Sequence, residues 1–398
     1  MVTDDRRNSS PFASRSARVA VIVIATVATL VAAELALRML APGLGADVFR
    51  APATPDASPF IYNRRVGYEL KPHVVLAMRE ENRGPVMRER VNGDGFRGPD
   101  YPVGRDGAIR ILAVGDSVVQ GFAVSEPRTW ERILERRLSG SSSGRVEVLN
   151  AGIGGYASWQ IPARLQDHGF KYAPDLVVVL VGWNDLLFAS TPRWTPGIDL
   201  SSFDDAFATP PPVETANVWN WIRGPLYRRS YVARLVREGR NAVRNAWAIQ
   251  KLIERHQQPS GVPFNDRALT EYANNLERIH SEIVSHDAQM AVVAWPLILS
   301  PDLIDDDDVH RRIVQTYTNF PLSTRELFDW YQRYLAVVRR LPQTHPDVVL
   351  VDAAAAFAPL DKPGRLAAFV DIVHLTVLGN QRLADTIGDS LQTQHAFD

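Results

Sequence analysis

The sequence predicts an α/β protein, a three-layer α/β/α sandwich on a central parallel sheet, with an apolar helix ahead of it that can span a membrane. Three observations lead there. Short, nearly continuous apolar runs recur from residue 109 onward, helix-patterned stretches separate them, and a mostly apolar stretch from Val19 to Leu40 lies near the N-terminus. Strands buried on both faces of a parallel sheet read as such runs, and their alternation with helices argues for helical layers packed on the sheet.

The elements follow in chain order. Residues 1–18 form a short leading segment containing Arg6, Arg7, Arg15 and Arg18. Residues 19–40 then give an apolar stretch that, as a helix, is long enough to cross a hydrocarbon core of ~30 Å. An arginine-rich flank keeps such an N-terminus cytoplasmic and sets everything after residue 41 outside the cytoplasm. Two readings compete with this single-pass anchor. One is a cleaved signal peptide, with Val31-Ala32-Ala33 as a small-residue cleavage site. The other is a buried core helix. Glu34 and Arg38 are spaced to pair on one helical face, or each can reach into the headgroup layer.

Residues 41–59, rich in Pro, Ala and Gly, read as a linker. Residues 60–108, with the turn signal Asn92-Gly93-Asp94-Gly95, read as an irregular or β-rich lead-in. The main domain is assigned to 109–398. Its strands are expected at 109–114, 146–149, 176–181, 290–295 and 348–351. Helices are expected at 126–138, where Trp130, Ile133, Leu134 and Leu138 share a face, and at 267–285, 324–340 and 376–391. Residues 191–263 break the alternation: a Pro, Trp and Asp-rich stretch leads into a basic, helix-like piece at 227–255. An insertion of that size on a rigid scaffold reads as a lid or binding element, or as a surface excursion.

Composition narrows the chemistry. The 44 Lys plus Arg nearly cancel the 45 Asp plus Glu, for a net charge of −1, which argues against a dedicated nucleic-acid binder. There is no cysteine, so thiolate catalysis, disulfides and Cys-ligated zinc are excluded.

Four short motifs fall at strand ends or before the last helix. Val114-Gly115-Asp116-Ser117 closes the first strand and puts a serine where open α/β sheets bind ligands. Asn150-Ala151-Gly152-Ile153-Gly154-Gly155-Tyr156 closes the second, a glycine-rich loop that lets a backbone N–H approach a developing oxyanion. Gly182-Trp183-Asn184-Asp185 closes the third with an amide side chain. Asp371-Ile372-Val373-His374 precedes the last helix, and an Asp three residues before a His can hold the imidazole in the tautomer a general base needs. Singly, each is better read as a turn or a structural hydrogen bond. Their convergence on one sheet edge is what points to catalysis.

These blocks resemble the four signature blocks of the SGNH (GDSL-type) serine hydrolases. Asn92-Gly93-Asp94-Gly95-Phe96-Arg97 and Glu34-Leu35-Ala36-Leu37-Arg38 are similar to stretches in membrane-anchored bacterial members. The resemblance implies a flavodoxin-like five-stranded parallel sheet. It also implies a Ser117, His374 and Asp371 triad, an oxyanion hole from Ser117, Gly155 and Asn184, and no cofactor or metal. The expected activity is that of an extracytoplasmic esterase on an ester-bearing small molecule, lipid or glycan, in the inner membrane with a periplasmic catalytic domain. An O-acyltransferase acting on a glycan with the same triad, and a non-catalytic membrane-anchored binding module, are the alternatives. Asp116 and Asp185 are expected to make structural hydrogen bonds. Residues 305–308, a run of acids, read as a solvated loop, and His280, His286, His310 and His345 as surface residues without a ligand pattern. Trp183, Trp194, Trp219 and Trp221 either pack or stack on sugar rings.

Overall fold

The computed structural model describes residues 11–40, 59–82, 84–104, 107–141, 144–191, 250–316, 321–394 and 396. Arg6 and Arg7, nearly all of the linker, most of the insertion, and Trp194, Trp219 and Trp221 lie outside the described residues, as do the side chains of Arg15 and Arg38.

The N-terminal segment, taken by itself, is one helix, Pro11–Leu40. Within it Ala17–Ala36 has a mean hydropathy of 2.4 and none of the stretch is buried. It is long and apolar enough to cross a membrane, a test a signal sequence also meets, whereas a core helix would be buried. Thr26 and Thr29 donate back to the carbonyls of Ile22 and Ala25, each at 2.8 Å, so their hydroxyls are satisfied inside the helix.

The body begins with two antiparallel pairs. Strand β1 (Phe60–Asn63) pairs with β2 (Gly67–Leu70), and β3 (Val75–Arg79) with β4 (Val86–Arg90). β4 alternates strictly, with Met87 and Glu89 buried and Val86, Arg88 and Arg90 exposed, the period-two pattern of a strand with one face inward. Glu89 therefore points into the body, where it needs a partner.

Five strands form the central sheet: β5 (Ile109–Gly115), β6 (Val146–Asn150), β7 (Leu176–Leu180), β8 (Gln289–Val293) and β9 (Val349–Val351). All neighbours are parallel, in the flavodoxin-like order β6-β5-β7-β8-β9. Ile111, Leu112, Ala113 and Val114 of β5 and Leu176, Val177, Val178 and Val179 of β7 have no accessible surface, which explains their unbroken apolar sequence. The helix Trp130–Ser141 packs on β6 and against the last helix, Val377–Thr393. Asp266–Val284 packs on β8 and Thr324–Thr344 on β9. After β5 the chain adds β6 on one side and then crosses to add β7 on the other. The strand order thus reverses between β5 and β7, and the crevice at their C-terminal ends is where such sheets bind ligands.

Some expectations shift. The helix expected to begin at 126 begins at Trp130, because Pro127 sits in a separate 3₁₀ turn and the Trp130 N–H is capped by Asn380 Oδ1 at 3.0 Å. The acidic run is a helix start rather than a loop: Asp306 accepts from the N–H groups of Asp308 and Val309, and Lys362 pairs with Asp306 and Asp308. Two of the four histidines are not surface residues. His310 has no accessible surface and lies on the inward face of the helix Asp307–Thr316, beside the Ile304 carbonyl and the Thr324 hydroxyl. His280 is buried against Asp347, and its ring packs on that of His345.

Candidate active site

The C-terminal end of β5 fixes the first functional group. A Cβ on Gly115 would lie 1.9 Å from the Leu180 carbonyl, so β5 and β7 approach this closely only with glycine there. Asp116 caps the one-turn helix Ser117–Gln120, accepting from the Val118 N–H at 2.8 Å, and Ser117 becomes its first residue. Among the described residues, no acceptor faces the Ser117 backbone N–H, as befits a helix's first donor.

The glycine-rich loop after β6 is laced to this turn. Asn150 Nδ2 donates to the Val119 carbonyl at 2.6 Å, the Ile153 N–H to the Gly115 carbonyl at 3.1 Å, and the Gly154 N–H to Gln120 Oε1 at 3.1 Å. Gly152 packs so tightly that a Cβ would meet the Gln120 nitrogen at 2.5 Å. Gly155 has φ of +85°, and its N–H has no acceptor among the described residues. After β7, Gly182 turns the chain with φ of +137° against the Trp295 ring, and Asn184 follows, buried, its Nδ2 donating to the Tyr156 carbonyl at 2.8 Å.

The remaining groups come from the loop before the last helix. His374 Nε2 lies 2.7 Å from Ser117 Oγ, and His374 Nδ1 lies 2.7 Å from Asp371 Oδ2. The other Asp371 oxygen accepts from the N–H groups of His374 and Val373, at 2.9 and 3.1 Å. Burial pushes the Asp371 carboxyl up, but the imidazole beside it and those N–H groups outweigh burial and hold it below its ordinary value. The Phe122 ring lies 4.5 Å from the imidazole. A hydroxyl, an imidazole and a carboxylate thus form one hydrogen-bonded chain, the arrangement that lets a base take the hydroxyl proton during attack. The wide Ser117–His374 separation that would have favoured a binding module is not found.

Asp116 and Asp185 border the site in the structural roles expected. Burial pushes Asp116 up to about 7, against the lowering effect of the Val118 N–H and the nearby His374 imidazole. Burial pushes Asp185 up to about 6 although it accepts from the Ser158 hydroxyl and N–H. Trp183 is buried and packs in the core.

Sequence reasoning missed the groups that hold these loops. Arg97 is buried and donates to the carbonyls of Gln120, Gly121 and Val124 at 2.8, 2.6 and 2.6 Å, with Glu89 as its ion-pair partner at 2.9 Å. Its motif was visible, but nothing in it disclosed the contact. Arg365, also buried, donates to the Leu297 carbonyl at 2.9 Å, and the Ile298 N–H in turn meets the Ile372 carbonyl at 3.0 Å. Glu81 accepts from the Val377 N–H at 3.1 Å and donates its own N–H to the Ala123 carbonyl at 2.6 Å, linking the two halves of the site.

Comparison with known proteins returns a family. The sequence-family model described as the GDSL-like Lipase/Acylhydrolase family matches residues 113–382. No curated protein matches the chain. Among solved structures, a lipase/acylhydrolase from Enterococcus faecalis is similar at 16% identity and a TM-score of 0.41, over 71% of this chain and 95% of that one. The acetyl xylan esterase AlAXEase is similar at 14% identity and a TM-score of 0.40, over 71% and 100%. The acetylxylan esterase Axe2 from Geobacillus stearothermophilus is similar at 16% identity and a TM-score of 0.39, over 71% and 93%.

Proposed function

Since the chain belongs to the GDSL-like lipase/acylhydrolase family and is an ester-hydrolysing enzyme, we propose that Ser117, His374 and Asp371 are its triad and short acyl esters its substrates. The observation that carries this reading is the hydrogen-bonded chain from Ser117 through His374 to Asp371, 2.7 Å at each link. The N–H groups of Ser117 and Gly155 have no hydrogen-bond acceptor among the described residues and are free to receive the oxyanion in this reading.

Ser117 Oγ attacks the ester carbonyl as its proton passes to His374 Nε2. Asp371 keeps Nδ1 protonated and stabilises the imidazolium. The oxyanion of the tetrahedral intermediate is met by the N–H groups of Ser117 and Gly155 and by the Asn184 amide, and losing one such donor costs roughly 10²–10³ in rate. The intermediate collapses, His374 gives its proton to the departing alkoxide, and an acyl-serine remains. Water then attacks the acyl carbonyl, its proton going to His374, and the acid leaves as Ser117 is reprotonated.

The test is hydrolysis of p-nitrophenyl acetate by the full chain in detergent, with labelling by a serine-directed phosphonate. Ser117→Ala should lose labelling and lower turnover by about four orders of magnitude or more. A Ser117→Ala protein that still turns over at the wild-type rate would refute the assignment. The N-terminal helix, with its upstream arginines, serves in this reading as a single-pass anchor that leaves the catalytic domain on the periplasmic side of the inner membrane. Protease added to intact spheroplasts should then digest the catalytic domain; full protection would reverse the orientation.

A further inference from the structure

The loop that carries Gly155 has an inherent weakness. The peptide between Gly154 and Gly155 joins two residues without side chains, so turning it over meets little steric resistance. In a trans peptide the carbonyl and the N–H point in opposite directions. The direction of the Gly154 carbonyl therefore sets that of the Gly155 N–H. An inverted peptide would aim a carbonyl oxygen, rather than a donor, at the developing negative charge.

One side chain from the lead-in bears on this peptide. The Tyr68 hydroxyl, on β2 and upstream of the family-matched region, donates to the Gly154 carbonyl at 2.7 Å. It also fills the space beside Gly155, where a Cβ would come within 2.4 Å of the phenol oxygen. On the other flank the Gly154 N–H is held by Gln120 Oε1 at 3.1 Å. Tyr68 is itself fixed: its carbonyl accepts from the Tyr156 hydroxyl at 2.7 Å, and its ring stands edge-on to Phe60 and Tyr156. Asn184 donates to the Tyr156 carbonyl at 2.8 Å, so the amide and the Gly155 peptide are tied to the same pair of tyrosines. Burial raises the Tyr68 phenol further above its usual range, which keeps it a proton donor at any working pH.

We propose that Tyr68 is a positioning residue that locks the Gly154–Gly155 peptide in the orientation presenting the Gly155 N–H to the oxyanion. This rests on the reading of Gly155 as an oxyanion donor. In this proposal Tyr68 acts through the peptide it holds.

Tyr68→Phe keeps the ring contacts and removes only the hydroxyl. In the full chain, with active sites counted by phosphonate labelling, kcat per labelled site for p-nitrophenyl acetate should fall about tenfold, the size of one net hydrogen bond. KM should stay within about twofold, because the lost interaction belongs to the transition state. The midpoints of the pH–rate profile should not move. Inhibition by a boronic acid, which forms a tetrahedral adduct on serine, should weaken by the same factor as kcat. A purely structural role would instead lower the fraction of labelled sites and leave kcat per site unchanged. Wild-type kcat per site in Tyr68→Phe, alongside an inactive Ser117→Ala, overturns the lock and leaves the esterase reading standing. A raised KM at unchanged kcat also overturns it, by making Tyr68 a substrate contact. Full activity in Ser117→Ala removes both.

Discussion

The turn that carries Ser117 and the loop that carries Asp371 and His374 meet where Ser117 Oγ reaches His374 Nε2 and the Phe122 ring packs on the imidazole, yet they are built on different plans. The acid–base loop is largely closed on itself. Asp371 accepts from Val373 and His374, the Val370 N–H donates to the His374 carbonyl at 2.8 Å, and Phe369 bridges Leu375, all within one short segment. The nucleophile turn leans on distant chain. Three of its carbonyls are held by Arg97, Asn150 holds a fourth, and Gln120 is tied to the loop after β6. A self-closed loop can be read as a local motif. A turn held from outside leaves only its reactive residue in view.

That contrast makes the two sides break differently, and the effects can be ranked. The largest is expected at Asp371→Asn. The amide oxygen can still accept from Val373 and His374, so the loop should keep its shape. The imidazole, however, loses the carboxylate that fixes its tautomer, and kcat should fall by about 10⁴ while the melting temperature falls only slightly, by the contribution of the lost carboxylate. A matching fall in stability would show that the loop is less self-sufficient than its bonds suggest.

Arg97→Met is next and should do the reverse. It leaves Glu89 buried without its cation and takes the guanidinium donors away from three carbonyls, and should destabilise the protein by about 3–5 kcal/mol in urea unfolding. Any protein that remains folded should keep a functional acid–base loop. A variant with wild-type stability would mean that solvent reaches these groups.

A third, intermediate effect is pH dependence. Burial pushes Asp116 up to about 7, Asp185 to about 6 and Glu131 to about 8. Each folded-state value lies above the unfolded one, so in that window the native state binds more protons than the unfolded chain. Stability contributed by these groups is therefore present at low pH and falls as pH rises through the folded values. Asp371 has the opposite sign: its depressed value adds stability above the ordinary carboxylate range that is lost as pH falls through the folded value. Unfolding free energy measured between pH 5 and 8 should decline, and Asp116→Asn, which can keep the Val118 cap, should flatten the decline. An unchanged slope would place the proton elsewhere.

The smallest effect is expected at Arg312, which reaches the acid–base loop from outside by donating to the Phe369 carbonyl. Because that loop closes on itself, Arg312→Met should lower stability by only about 1 kcal/mol and leave KM unaltered. A loss as large as that at Arg97 would erase the contrast between the two sides.

The sequence by itself determined the strands of the central sheet and the residues proposed as reactive. Burial on both faces forces apolar runs such as 176–180, and Asp-x-x-His is a local geometry that needs no distant partner. Ser117, Asn184 and the loop ending at Gly155 could be found because strand ends are legible and a parallel sheet gathers them on one edge. What only the tertiary structure decided is how those groups are held. The cap of Trp130 comes from Asn380, the clamp on the nucleophile turn from Arg97, and the hydroxyl on the Gly154 carbonyl from Tyr68. Each joins residues far apart in sequence through one side chain and a backbone carbonyl or N–H. Backbone groups are the same in every residue, so such a contact leaves no mark on one end and only an ordinary Asn, Arg or Tyr on the other.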